Sequence, residues 1–511
     1  MASFQRTLDL DALREHLSLN VFCKGGRKRD RFGIEVELFP MRRLPGASRP
    51  DAAKLQEAAG PQRGVLSIVE EFATAHGLLY RRSDGTFGGA LRGDSVNVSE
   101  RGHFTFEPGG QVEFSGAPEE TPAQAYRITS TVLADMAAHM RLDGIDLVRL
   151  GLNPWHSLDE IGLQTTLARY AFMDAHFASI SEYGRRMMRQ TATTHVNLDF
   201  GPAEVGWARW QVAQLLAPVA VATFAFSPLL EGKPTGYRSF RGRIWRSVDP
   251  SRCGFPPAFF DDPGGDPVAQ YLDFALDASL FMVRRGSEWE ALSAPLTFRR
   301  WMEQGDRGFY PDLSDWEYHL TTLFPEVRPR GFLELRSVDN QGHAFAPVPL
   351  TWWVSLLCDL RALQQTLERL LPTAFDLPER MTLAARLGAA QGPVASDARE
   401  LYLLADESLR RFPTGFFTSD MKRAFVAFGE RFVLAGRTPA DDLLELFEKR
   451  RCLDFEALDE LNRTWSALTG IWGPEGKAGC GTVEGGPRRG ASAGDTPSGG
   501  GDGSSRCDSR M

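Results

Sequence analysis

An α+β fold with helices packed on one face of a sheet is predicted by three observations. Short segments with period-two alternation of apolar and polar residues are scattered from residue 31 to residue 338. Long helical patterns lie between them. Beyond about residue 378 the pattern is helical almost throughout. Strands and helices in mixed order, without regular βαβ alternation, argue for α+β architecture.

The strand segments are 31–39, 78–82, 103–107, 111–116, 145–151, 193–199 and 331–338. Residues 122–141 read as a helix: Thr121 caps it, Pro122 starts it, and Ile128, Val132, Met136 and Met140 follow at spacing four. Gly144 ends it. Residues from Ala203 to about Phe226 form another helix. So do residues 350–371, which carry Trp352, Trp353, Leu356, Leu357 and Leu360. Residues 1–473 are expected to form one folded unit, mainly helical after about residue 375. The Gly/Ser-rich tail at 474–511 has no side chains to seed a core and is expected to be disordered.

Composition removes several function classes. The chain has 511 residues, of which 42% are hydrophobic and 24% charged, as in an ordinary folded protein. A net charge of −8 argues against a general nucleic-acid binder. No stretch of about 18 apolar residues lacks charge, so no membrane span is expected. Asp9, Asp11 and Glu15 make a secretory signal an unfavourable reading of the first twenty residues. Six scattered cysteines with no CxxC pair are neither a disulfide framework nor a zinc ribbon, and a reducing, cytoplasmic setting is expected. The sequence leaves the oligomeric state open.

Four strands carry the chemistry. RFGIEVELF puts Glu35 and Glu37 on one face, opposite Ile34, Val36 and Leu38. GGQVEFSG aligns Gln111 and Glu113, TTHVNLDF aligns His195, Asn197 and Asp199, and GFLELRSVD aligns Glu334 and Arg336. Two readings fit: a half-exposed sheet with a wet outer face, or a shared site. Carboxylates, His, Asn and Arg in place of the Thr and Lys of a wet face favour a site. So does the repulsion between neighbouring carboxylates, which a cation would relieve. Gly33, Gly109 and Gly110 flank these motifs, where a ligand would have close access to the backbone. Several carboxylates with one imidazole suit Mg²⁺ or Mn²⁺ bridging phosphate oxygens. There is no HExxH for zinc and no P-loop.

A second group is GYRSFRGRIWRSVDPSRCG, with Arg238, Arg241, Arg243, Arg246 and Arg252. It reads as an irregular segment, either a solvated basic loop or a clamp for carboxylate or phosphate, with Trp245 as an apolar wall. In SDWEYHLTTLF, Ser314 is expected to cap a short helix and His319 to be structural. The remaining histidines show no pattern. The basic run at 24–31 reads as a solvated loop or the border of an anionic ligand.

Taken in order, GIEVELF, EPGGQVEFSGAP, RRMMRQTATTHVNLDF, FSPLLEGKPTGYRSFRGRIWRSVDPSRCG and DWEYHLTTLFPEVRPRGFLELRSVD resemble the glutamate–cysteine ligase family of plants and proteobacteria. The resemblance runs from about Gly33 to Asp359. It implies a curved, mostly antiparallel sheet related to glutamine synthetase, with ATP as co-substrate and Mg²⁺ as the ion. It implies magnesium ligation by Glu35, Glu37, Glu113 and Glu334. Arg336 matches an Arg facing the phosphates, and with Glu334 it is expected to be catalytic. Arg238 matches an Arg near the amino-acid substrates. Thr191, Asn197 and Trp245 are expected as pocket walls, and Gln111 and Arg328 beside ATP. His195 stands where plant-like members usually have Gln, and it is a further candidate metal ligand. EVRPR, RSVDN and GFPP also depart from the family text and bear on the acceptor pocket.

The implied reaction joins the γ-carboxylate of glutamate to the amine of cysteine through an acyl phosphate. Three alternatives stay open: another amine acceptor, an inactive binding protein on this scaffold, and a phosphotransferase acting on a guanidino or carboxylate substrate. The expected partners are small-molecule substrates, with neither nucleic acid nor membrane.

Overall fold

The computed structural model describes residues 8–473, apart from 24–28, 45, 48, 57–61, 83–85, 89–100, 286–287 and 293. The tail at 474–511 and most of the basic run at 24–31 lie outside the described residues.

A ten-stranded sheet organises the chain. Its strands are β1 (Phe32–Arg42), β2 (Asp51–Ala52), β3 (Leu79–Arg81), β4 (Phe87–Gly88), β5 (Gly102–Phe106), β6 (Val112–Gly116), β7 (Ile145–Val148), β8 (Thr194–Leu198), β9 (Val327–Pro329) and β10 (Leu333–Leu335). Along the sheet the order is β9-β10-β8-β1-β6-β5-β3-β4, and β2 and β7 pair with the far end of β1. Every pairing but β3–β5 is antiparallel. The seven strand segments read from the sequence are all strands here.

Alternation decides which way each strand faces. Ile34, Val36 and Leu38 of β1, Val112 and Phe114 of β6, and Val196 and Leu198 of β8 are buried in one continuous core. Phe104 and Phe114 face each other across β5 and β6, with ring centroids 5.0 Å apart. Such a pair is worth about 0.5–1.5 kcal/mol beyond its buried area and helps to lock the register. The helix Pro122–Arg141 packs on this apolar side against β1, β6 and β7, and Val348–Cys358 packs against β8. Thr121 caps the first of these as expected, its hydroxyl accepting from the Gln124 amide. On the polar side, the helices Ala168–Ile180, Phe240–Trp245 and Leu313–Leu320 roof a cavity.

The structure corrects three local expectations. Residues 350–371 are two helices, Val348–Cys358 and Leu360–Leu370, because Asp359 adopts an extended conformation and caps the second through the Ala362 amide at 2.8 Å. The segment expected to be irregular contains the helix Phe240–Trp245, capped by Ser239 on the Gly242 amide. Asp312, not Ser314, caps Leu313–Leu320, in a capping box with Asp315. After Leu377 the described chain is helical, as read, in Leu377–Leu387, Pro393–Leu409, Ser419–Phe428, Pro439–Arg450 and Phe455–Thr469. No helix among the described residues is long and apolar enough to cross a membrane.

Asp359 also takes a two-pronged ion pair from Arg411, at 2.8 and 2.9 Å. Asp359→Ala should therefore cost about 1–2 kcal/mol, the value of a lost cap plus a partly exposed pair. Urea denaturation measures this, and an unchanged midpoint would show that the break between the helices does not depend on the cap.

Candidate active site

The strand register arranges the polar side chains in rows across the sheet. In one row Ser115, Glu35 and His195 stand on β6, β1 and β8. The next holds Thr105, Glu113 and Glu37 on β5, β6 and β1. A third runs from Arg328 through Glu334 and Asn197 to Gly33. The rows floor a cavity of about 620 Å³, a size typical of small-molecule sites.

Glu35, His195 and Glu334 each offer a ligand atom within 4.8 Å of the others. Burial and Arg336 push the His195 imidazole down to about 4, so the ring is neutral near pH 7. Its Nδ1 lies 3.0 Å from a Glu35 oxygen and so carries the proton that Glu35 accepts. That leaves the Nε2 lone pair buried without a hydrogen-bond partner. Asn197 donates to the other Glu35 oxygen at 3.0 Å. Burial and Glu334 oppose ionisation of Glu35, but the bond from His195 and the nearby positive charges outweigh them and hold Glu35 below the usual carboxylate range.

Glu37 and Glu113 are directly opposed in the ladder. Burial and the charges of Glu107 and Glu113 raise Glu37 well above its ordinary value. Burial, Glu35 and Glu107 raise Glu113 to about 8. The Thr193 backbone N–H donates to Glu37 at 3.0 Å, and the Thr105 hydroxyl donates to Glu113 at 2.5 Å. Crowded carboxylates that resist ionising together, beside an unpartnered imidazole lone pair, are a donor set that fits hard divalent cations.

Arginines occupy the neighbouring row. Arg328 forks onto both Glu334 oxygens at 2.8 Å, Arg330 approaches to 3.3 Å, and Arg336 donates to the same carboxylate. Burial works against the charge of Glu334, but Arg328, Arg336 and Arg330 hold it well below the usual range. The Trp245 ring is close to two guanidiniums, 5.1 Å from Arg336 and 5.4 Å from Arg241. Beside it Met173, Met187, Met188 and Phe324 form an apolar wall.

Most residues expected at a site meet here. Glu35, Glu37, Gln111, Glu113, Thr191, His195, Trp245, Arg328, Glu334 and Arg336 all line the cavity. Asn197 acts beneath it through Glu35. Gln111 also fastens the start of β6, donating to the Thr191 carbonyl at 2.8 Å, and the Thr191 hydroxyl bonds back to Met187. Arg238 is the exception. It does not line the cavity and pairs with Asp441 at 2.7 Å. Arg241, from the same run, turns inward and donates to the Arg336 carbonyl at 2.8 Å. Arg238 lies in the chain before the short helix and Arg241 lies within it, and so short a segment offers no periodicity to tell which of them faces the cavity.

Glu107, Arg169 and Arg330 also line the cavity and were not singled out. Glu107 had a signal: it closes the turn that the Gly109–Gly110 pair opens, bonding through its backbone to Gln111 and Gly110. Those glycines do not admit a ligand. A Cβ on Gly109 would fall 2.3 Å from the Arg189 carbonyl, and one on Gly110 would meet Gln164. A Cβ on Gly33 would be tight against Asn197, at 3.3 Å. Close packing of chain on chain is what these positions require.

Floored by acids and edged by guanidiniums, the cavity has the form of an enzyme active site. Residues 31–463 match the model of the family described as Glutamate-cysteine ligase family 2. The chain belongs to that family. It is 33% identical over 369 residues to the chloroplastic glutamate–cysteine ligase of Nicotiana tabacum, covering 70% of this chain and 68% of that protein. It is 34% identical over 371 residues to the corresponding protein of Solanum lycopersicum, with coverage of 70% and 68%. A solved structure of glutamate–cysteine ligase from Francisella tularensis in complex with AMP is similar at a TM-score of 0.49 and 11% identity, over 87% of this chain and 90% of that one.

His319 is structural, as expected. It is buried and its Nε2 donates to the Ala275 carbonyl at 2.8 Å. Burial and Arg252 push it down to about 3. Between that value and its ordinary 6.5 the unfolded chain binds a proton that the folded chain refuses, so stability is lost as pH falls below 6.5. His319→Gln should make the stability–pH curve shallower between pH 6.5 and 3, as measured by urea titrations across that range.

Proposed function

We propose that the protein joins the γ-carboxylate of glutamate to the amine of cysteine at the expense of ATP, giving γ-glutamylcysteine. Membership of the glutamate–cysteine ligase family supports this reading, and so does one observation above all: the crowded carboxylates Glu35, Glu37, Glu107, Glu113 and Glu334 share one cavity with three converging arginines. Amide formation from a carboxylate is uphill in water, so the acid must first be activated. The γ-carboxylate oxygen attacks the terminal phosphorus of ATP, releasing ADP and leaving an acyl phosphate. The amine then attacks the acyl carbon, phosphate departs, and the amine gives up a proton.

The residues divide this work by charge. Glu35, His195 and Glu334 would hold one divalent cation, and Glu37, Glu107 and Glu113 would share in a second. Mg²⁺ bound there supplies neutralisation of phosphate charge, and Mn²⁺ would serve the same donors. Arg336, Arg328 and Arg330 carry positive charge to the transferring phosphoryl group. Arg241 positions Arg336 from behind, through its carbonyl. Trp245 and the methionine wall exclude water from the reactive acyl group. We place the reaction in a reducing, cytoplasmic setting, on the scattered cysteines of the sequence with no CxxC pair.

Mass spectrometry of the products from ATP, Mg²⁺, glutamate and a mixture of amino acids tests the proposal. The expected product is γ-glutamylcysteine. Phosphate release that requires a different amine would replace cysteine as the acceptor, and a stable phosphorylated product with no amide would remove the ligase reading. Glu35→Gln should lower kcat/KM by about 100-fold or more while leaving the circular dichroism spectrum unchanged.

A further inference from the structure

Glu334 is asked to do two things that exclude each other. Its side chain is fully buried, and its two oxygens receive the Arg328 fork, Arg330 and Arg336. A carboxylate offers about four lone-pair positions, and these guanidinium N–H groups fill them. Yet the same carboxylate completes the cluster with Glu35 and His195 that would grip a cation. A cation cannot sit where three guanidiniums already converge on the ligand atoms. The other acids are not held in this way: Glu37 and Glu113 take their bonds from Thr193 and Thr105. The cavity thus gathers Arg328, Arg330 and Arg336 on a single carboxylate.

Something must draw the arginines off before Glu334 can ligate. Planar guanidinium forks match phosphate oxygens as well as they match carboxylate. The Arg330 side chain is half exposed at the cavity edge, where an incoming anion would meet it first.

We propose that Glu334 is an exchangeable ligand: it holds Arg328, Arg330 and Arg336 in the ligand-free enzyme and passes to a divalent cation when a polyphosphate takes those arginines. Polyphosphate and cation then bind with positive coupling, and by linkage each tightens the other equally. This rests on the reading of the cavity as a nucleotide and cation site, but not on the identity of the amine.

Binding experiments without turnover test it. Inorganic tripolyphosphate, titrated calorimetrically in the presence of EDTA, competes with Glu334 for the arginines in the wild-type protein. Glu334→Gln should bind it at least about tenfold more tightly, within the usual span of such couplings. If Glu334 instead serves as a fixed scaffold for the arginines, the variant binds equally or more weakly, and the exchange is refuted. The second measurement uses Mn²⁺ alone, with free ion followed by electron paramagnetic resonance. Arg328→Gln should tighten Mn²⁺ binding about tenfold. Arg169→Gln removes the same charge from a cavity arginine that lies over the Tyr170 and Tyr318 rings, and it should change the affinity far less. Equal gains in the two variants would reduce the effect to net charge and overturn the proposal. Should Glu334→Gln fail to fold, the Mn²⁺ comparison decides alone. Loss of γ-glutamylcysteine formation with these results intact would count against the ligase reading only. Full ligase activity without them would count against the exchange only.

Discussion

Desolvated carboxylate charge is the constraint on which this structure turns. Five glutamates converge where water is scarce, and each must find compensation or stay protonated. The compensation is uneven. Glu334 has three arginines and Glu35 a neutral imidazole and an amide, whereas Glu37 and Glu113 have hydroxyl and amide donors. That imbalance costs stability in the protein alone, and under the proposed function it is what would draw cations in, which makes it a property of function more than of folding.

The backbone makes such crowding possible. A strand that places glutamates on one face places Ile34, Val36 and Leu38 on the other, so the apolar core holds the acids against their own repulsion. The Phe104–Phe114 pair on the buried side stiffens the two strands whose opposite faces carry Thr105 and Glu113. Core and site are therefore two sides of the same ladder. A slip of one residue in register would exchange them.

How much of this could be read from the sequence depended on period. Strands announce themselves by alternation, so Glu35, Glu113, His195 and Glu334 each fall on the polar face of a strand in the sequence alone. The helix at 122–141 was legible from Thr121, Pro122 and its apolar spacing. Where a segment is shorter than its own period, the reading fails. Six residues at 240–245 hide the choice between Arg238 and Arg241, and only the bonds to Asp441 and to Arg336 make it. Glu107 closes a turn, so the Gly109–Gly110 pair marks its place in the sequence but no strand face gives its direction. Asp359 fits a continuous helix as readily as a cap, and tertiary packing with Arg411 selects the cap. The glycines near the motifs drew attention to ligand access, but their neighbours are protein atoms.

The ladder order has a consequence for how the chain matures. Residues that touch in the site come from β1, β6, β8 and β10, with Glu35 and Glu334 about 300 positions apart along the chain. Contacts of such long sequence separation form late and slowly. During synthesis the acids of β1 and β6 emerge well before the arginines around Glu334, and until β10 docks beside β8 the growing polypeptide holds an incomplete and strongly anionic sheet face. Nascent chains of this protein would accordingly be prone to arrest at that last pairing, where a change in Leu333 or Leu335 would be felt as lost yield before it was felt as lost catalysis.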